Sequence, residues 1–164
     1  ALPILDFQRV DICEFLREII AEYIPNMEDK NIEYYFEIPE ESIYTYIDEK
    51  SMYRAISNII VNSIKYNGYG TNIKIILIPL EDTIQLIIED DGIGIPKELN
   101  QCIFDPFVRV DTSRNSKSGG TGLGLAITKS IVEKHNGVIN LISDREMGCK
   151  FIITLNKEQE KNHD

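Results

Sequence analysis

One ordered series of segments constrains this chain more than anything else in it: an Asn-bearing helical pattern, SNIIVNSIKYNG, then a strand pattern running into DDGIGIP, then FDPFVRVD, then GGTGLGLAI. Each segment is ordinary alone. In this order, with short connections, they supply an amide able to bind a metal, a carboxylate able to read a base, a loop carrying cations and a glycine-rich helix start. Those are the parts of a nucleotide site, and they all lie between Asp48 and Gly124.

At 164 residues, 43% of them hydrophobic, the chain suffices for one well-cored domain and is short for two. No apolar run approaches the roughly 20 residues of a membrane-spanning helix, and the start lacks the pattern of a signal peptide, so a soluble chain is expected. It opens at Ala1 in mid-pattern, as a piece of a longer protein would. The formal net charge of -10 opposes nucleic acid as a partner. A single anionic ligand needs only local positive potential and is compatible with that charge. Cys13, Cys102 and Cys149 stand apart with no CxxC pair, which argues against a disulfide framework or a zinc site and suits reduced cysteines in the cytosol.

The apolar spacing of Ile12, Phe15, Leu16, Ile19, Ile20, Tyr23 and Met27 predicts a helix with Asp11 as its N-cap. Residues 32–37 and 42–47 read as strands around a Pro39 turn. Asp48 is expected to cap a second helix with Met52, Ile56, Ile59, Ile60 and Ile64 inward, stopped by Asn67-Gly68. Residues 73–78 and 83–90 read as a hairpin. Pro96 suits a short helix, and residues 104–119 read as a mobile loop. A third helix is expected over 122–135, then a hairpin of 138–143 and 150–155. The sum is an α+β two-layer sandwich, with a mixed sheet of five or six strands and three main helices on one face.

On the second helix Asn58, Asn62 and Lys65 share a face, because they recur at spacings of four and three. An Asn carbonyl oxygen is a neutral hard ligand suited to Mg²⁺, and a Lys one turn on can meet a phosphate. The same face also fits the solvated side of an amphipathic helix. Asp90 ends a strand and is followed by Gly92 and Gly94, which permit a sharp turn and close backbone approach. A carboxylate there can accept from an exocyclic amino group, or else be an idle acidic hairpin exit. Gly119, Gly120, Gly122 and Gly124 open a helix, where free N–H groups favour phosphate, although neither a dinucleotide fingerprint nor a P-loop is present. Arg109, Arg114 and Lys117 lie in the preceding loop. His135, at a helix end, reads as structural, and no Ser/His/Asp or Cys/His constellation can be assembled.

With these segments in hand, the chain resembles the catalytic and ATP-binding domain of bacterial two-component sensor histidine kinases, over roughly residues 49–155. NIIVNSIKY is similar to that family's N box, DDGIGIP to its first glycine box, FDPF to its F box and GGTGLGLAI to its second glycine box. The resemblance implies the Bergerat ATP-binding fold, with ATP and Mg²⁺ as cofactors. It implies Asn62 as metal ligand assisted by Asn58, Lys65 on phosphate, Tyr66 against the adenine and Asp90 accepting from its amino group. Gly92, Gly94 and Ile95 would shape the pocket. Arg109 and Arg114 would approach the γ-phosphate from an ATP lid. Gly120, Thr121, Gly122, Leu123 and Gly124 would hinge that lid and offer N–H groups to the phosphates.

Two departures sharpen the reading. Neither His135 nor His163 has the setting of the family's phospho-acceptor histidine, an acidic neighbour and a nearby Pro on a dimerising helix. Residues 1–10 are therefore expected to be a connecting segment from a missing dimerisation domain, 11–156 the ATP-binding catalytic domain and 157–164 a charged tail. In the superfamily's ATPases and its anti-sigma serine kinases a Glu stands four residues before the metal-binding Asn, whereas here that residue is Asn58. A neutral imidazole already carries a nucleophilic lone pair, so transfer to His demands less of such a base. The resemblance thus implies a histidine kinase domain partnered by a dimerisation and phospho-acceptor domain and a response regulator. It also implies a cytoplasmic domain of a protein anchored in the bacterial membrane through other parts. A non-catalytic ATP-binding regulatory module and an anti-sigma-type serine kinase are the alternatives.

Overall fold

Helix starts in this chain are set by two aspartates. In a computed structural model that describes residues 4–67, 70–100, 102–106, 124–144 and 146–158, Asp11 accepts from the Cys13 N–H at 3.1 Å and opens helix α1, Ile12–Asp29. Asp48 accepts from the Ser51 N–H at 2.9 Å and opens α2, Glu49–Tyr66. Each satisfies a backbone donor that the first helical turn leaves unpaired. The third helix, α3, is Gly124–Lys134. Its expected first residues, 122 and 123, lie outside the described residues. Asn136 ends it in the left-handed region at φ 57°, a conformation Asn tolerates better than most residues.

The strands are β1 Gln8–Asp11, β2 Glu33–Glu37, β3 Tyr44–Ile47, β4 Asn72–Pro79, β5 Thr83–Asp90, β6 Val138–Asp144 and β7 Gly148–Asn156, with a short 3-10 turn at Lys97–Leu99. Five of them form the main sheet in the order β2-β4-β5-β7-β6. The β2–β4 pair is parallel and the other pairs are antiparallel, so the sheet is mixed. The expected sixth strand, β3, instead pairs with β1 in a separate two-stranded ribbon. Strand β1 carries only four residues and falls within the expected connecting segment, which leaves little periodicity to read. At the other end the Glu158 N–H donates to Tyr44 O at 2.9 Å and its carboxylate pairs with Arg9, so the chain just beyond β7 lies against the ribbon.

Alternation puts Ile73, Ile75 and Leu77 of β4, Ile84, Leu86 and Ile88 of β5, and Phe151, Ile153 and Leu155 of β7 on one buried face. Met52, Ile56, Ile59, Ile60 and Ile64 of α2 join them in a single core with the inward residues of α1 and α3. Each such side chain contributes about 1.5–3 kcal/mol by leaving water. This helical layer over the sheet is the α+β two-layer architecture expected from the pattern.

Two tertiary contacts fix α2 against its neighbours. His135, at the end of α3, accepts the Asp48 N–H on Nε2 at 3.0 Å and donates from Nδ1 to Ile131 O at 2.8 Å. Lys30 donates its ammonium to Ile64 O at 2.8 Å and Lys65 O at 3.3 Å, satisfying carbonyls at the C-terminal end of α2.

The Ser51 N–H, then the Asp6 N–H, hold the Asp48 carboxyl below its ordinary range. A depressed folded pKa gives stability that is present above the unfolded value of about 3.9 and lost as pH falls through the folded one. Asp48→Ala is therefore expected to lower stability by about 1 kcal/mol at neutral pH. Denaturant unfolding at a series of pH values should show that difference shrinking in acid.

Candidate functional site

The site is built where the C-terminal end of β5 meets the helical layer. Asp90 is the last residue of β5 and is buried at 9% exposure. Its Oδ1 accepts from the Gly92 N–H at 3.1 Å and from the Cys149 N–H at 3.4 Å. Burial pushes its carboxyl above the ordinary value, against the opposing pull of those two donors and of the Asn67 amide. The neighbouring Asp91 behaves differently. Burial acts to raise it too, but both of its oxygens are bound by Asn72, at 2.7 and 2.8 Å, and it lies below its ordinary value. Of the two aspartates, Asp91 ties β5 to β4, and Asp90 is the buried one whose carboxyl is raised, which makes it the candidate for a ligand contact.

The turn after Asp90 requires its glycines. A Cβ at Gly92 would sit 1.6 Å from Asn67 Oδ1, a separation no side chain tolerates. Gly94 has φ 69°, in the left-handed region. Gly148 has φ 88°, and a Cβ there would meet the Asp90 carbonyl oxygen at 2.1 Å. Ile95 is buried in the core, and its N–H donates to Ser143 Oγ at 2.7 Å. Ser143 in turn donates to Gly148 O at 2.7 Å. The β6–β7 turn therefore buttresses the DDGIGIP turn, with Cys149 beside it as a thiol that burial raises to about 11.

Helix α2 presents the second wall. Asn58 is half-buried, and its Nδ2 donates to Gly124 O at 3.2 Å and to Thr128 Oγ1 at 3.4 Å, joining α2 to the first turn of α3. Thr128 Oγ1 donates to Ala55 O and Gly124 O, which completes that junction. Asn62, one turn on, is half-buried, and its side chain makes no hydrogen bond among the described residues. Lys65 holds its ammonium 5.6 Å from the centroid of the Tyr66 ring, which is 42% exposed. The two Asn residues thus share a face of α2 but not a state, since the Asn58 amide is engaged within the fold and the Asn62 amide is not engaged among the described residues.

Arg109, Arg114, Gly120, Thr121, Gly122 and Leu123 lie outside the described residues, as do residues 107–119 of the expected loop. Phe104 marks the start of that stretch. It is buried against Phe151, with ring centroids 6.3 Å apart, and the Lys129 ammonium lies 5.9 Å from its ring. A cavity of about 620 Å³ lies instead between the 3-10 turn and the β6–β7 turn and includes none of the expected contacts. A smaller one of about 380 Å³ reaches Asp90 and Cys149.

A family model described as histidine kinase-, DNA gyrase B- and HSP90-like ATPase matches residues 47–159, more than half of the chain. The chain belongs to this family. Sensor protein kinase WalK of Staphylococcus haemolyticus is 40% identical over 148 residues, which cover 89% of this chain and 24% of that protein. WalK of Staphylococcus aureus is 38% identical over the same shares. The catalytic domain of histidine kinase ThkA superposes with a TM-score of 0.81 at 28% identity, covering 93% of this chain and 99% of that one. ThkA solved in complex with response regulator protein TrrA superposes with a TM-score of 0.79 at 28% identity, covering 96% and 44%. The chain spans about a quarter of the length of the curated WalK relatives. Its similarity within this ATPase family is to the catalytic domains of sensor histidine kinases.

Sequence reasoning missed two residues in and around this site. Asn67 reads only as a helix stop and Lys30 carries no sequence signal of its own, because the roles of both arise only from tertiary approach. Gly92→Ala is expected to force Asn67 out of place and to lower stability by about 1–3 kcal/mol. A thermal melt of the domain checks this, with no change in midpoint counting against the close packing described.

Proposed function

We propose that this domain binds Mg²⁺-ATP and transfers the γ-phosphate to a histidine on a dimerisation domain of the same kinase, outside this chain. The carrying observation is the contrast across the site: a buried, perturbed Asp90 facing a helix on which Asn62 is unengaged and Asn58 stands where hydrolytic relatives have Glu. Asp90 accepts the amino group of adenine, and Gly92 and Gly94 let the backbone approach the base. Tyr66 lies against the base and Lys65 meets phosphate.

Asn62 fits a magnesium site by its chemistry. Its amide oxygen is a neutral hard ligand on a half-buried face, and no cluster of three or more His, Cys, Asp or Glu side chains gathers among the described residues to bind the ion in a cage of its own. When bound, the metal would neutralise charge on the transferring phosphoryl group. Asn62 would hold it with the phosphate oxygens, and Asn58, donating to the first turn of α3, would keep the helix after the glycine box in register. Arg109 and Arg114 would stabilise the phosphoryl charge from the lid, with residues 120–124 as its hinge. Catalysis on this reading is positioning and electrostatics, with no base to supply.

The state of His135 supports an acceptor on another domain, and His163 lies outside the described residues. Both ring nitrogens of His135 are committed, Nε2 to the Asp48 N–H and Nδ1 to Ile131 O, and the ring is buried. Attack through Nε2 would break its contact with the start of α2, and attack through Nδ1 would break its hydrogen bond to Ile131 O. A response regulator would take the phosphoryl group onward, as the pairing of ThkA with TrrA suggests for that kinase. No helix among the described residues is long and apolar enough to cross a membrane, so any anchor would belong to other parts of the protein.

Mixing this domain and labelled Mg²⁺-ATP with the parent protein's dimerisation domain is expected to yield acid-labile phosphohistidine on that domain and none with Asn62→Ala. Nucleotide binding without transfer would leave an ATP-binding module, and acid-stable phosphoserine would point to a serine kinase. Asp90→Asn is expected to weaken ATP binding about ten- to a hundredfold by calorimetry, the range for a hydrogen bond to a charged group.

A further inference from the structure

We propose that Lys30, at the end of α1, is a positioning residue for the nucleotide base: by gathering the last carbonyls of α2 it holds Tyr66 where its ring can lie against that base. The inference rests on the reading of Tyr66 as the residue that faces the base. Tyr66 is the last residue of α2, and it is 42% exposed. The last turn is where a helix frays, because its carbonyls have no partner further along the helix. Asn67 leaves the helix in an extended conformation, at φ -102° and ψ 142°, so the helical ladder stops at Tyr66. A ring at such a place is a dependable wall only if something else fixes the turn that carries it.

Side chains take over those carbonyls. Asn67 Nδ2 donates to Ser63 O. The Lys30 ammonium donates to Ile64 O at 2.8 Å, to Lys65 O at 3.3 Å and to Asn67 O at 3.5 Å. An ammonium has three N–H groups, and here there is a backbone oxygen for each. Two of those oxygens belong to residues 65 and 67, so one cation holds the backbone on both sides of Tyr66. Glu28, Asp29 and Glu33 are close to Lys30 in sequence, yet no carboxylate pairs with it among the described residues. A half-buried cation given over to a helix end also suits the negative pole of that helix. The backbone delivers it there. Lys30 is the C-cap of α1, and Asn31 follows at φ 51°. Asn31 O then accepts from the Gly70 N–H at 3.4 Å, and the Glu33 N–H donates to Thr71 O at 3.0 Å, which stitches the turn after α1 to the connection after α2. Lys65, whose ammonium lies 5.6 Å from the Tyr66 ring centroid, sits in the same turn and would fray with it, so it cannot be the anchor.

The test measures binding of Mg²⁺-ATP and of adenosine to the 164-residue chain, to Lys30→Met, to Tyr66→Ala and to the double variant, with a thermal melt of each to establish that it is folded at the binding temperature. Tyr66→Ala is expected to weaken both ligands about tenfold, within the range of one aromatic–base stack. Lys30→Met keeps the aliphatic stem and removes the ammonium. It should weaken both ligands by one common factor, about threefold to tenfold, because the defect lies at the base. In the Tyr66→Ala background it should cost little more. Lys30→Arg keeps a cation with several donors and should restore most of the affinity. Lys30→Gln removes the charge without adding apolar surface, should show the same loss, and decides the matter if the methionine variant does not fold. A lower melting temperature with wild-type affinity, which is what a merely stabilising residue gives, would overturn the proposal. So would a loss confined to ATP, or one that adds in full to the loss in Tyr66→Ala. Unchanged binding of both ligands in Tyr66→Ala would instead remove the underlying reading of Tyr66, whatever Lys30 does.

Discussion

A carboxylate held in a nearly dry place at the end of a central strand is the constraint around which the rest of this domain is arranged. Burial raises the Asp90 carboxyl, and two backbone donors oppose that from both sides of the sheet end: the Gly92 N–H in its own turn and the Cys149 N–H from β7. Those donors can approach only because Gly92 and Gly148 lack side chains, since a Cβ at either would collide with Asn67 or with the Asp90 backbone. Ser143 then locks the two turns together through Ile95 and Gly148. The glycines, the serine and the buried acid form one mechanical unit.

The helical layer answers to the same unit. Helix α2 carries Asn58, Asn62, Lys65 and Tyr66 along one face and ends at Asn67, so the pitch of a single helix places the residues proposed for metal, phosphate and base together. Its ends are fixed by remote residues, His135 on the Asp48 N–H and Lys30 on the last carbonyls. Asn58 ties its middle to the start of α3. A domain that works by positioning needs this kind of over-determined scaffold, because small displacements of a phosphoryl group or its acceptor are expensive in rate.

Much of this was legible in the sequence, for a physical reason. Caps and periodicity are local, so Asp11, Asp48 and the inward stripe of α2 follow from residues a few positions apart, as does the β4–β5 hairpin. The order of the four segments pointed to a nucleotide site, and the identity of residue 58 weighed against a hydrolytic base. What could not be read depends on residues distant in sequence. The β1–β3 ribbon joins strands of four residues each. Lys30 reaches the end of α2, and Asn67 reaches the Gly92 turn, only once the layers have packed. Asn67-Gly68 is a sound helix stop by local rules, and nothing local says that its amide is buried.

The central claim is that the Asp90 carboxylate meets the amino group of adenine directly. A double-mutant cycle tests it by measuring the affinity of wild type and Asp90→Asn for ATP and for purine riboside triphosphate, which lacks that amino group. If the two groups meet, removing either should produce a similar loss, and removing both should cost little more than removing one. Losses that simply add would contradict the account, because they would mean that the acid and the amino group act independently.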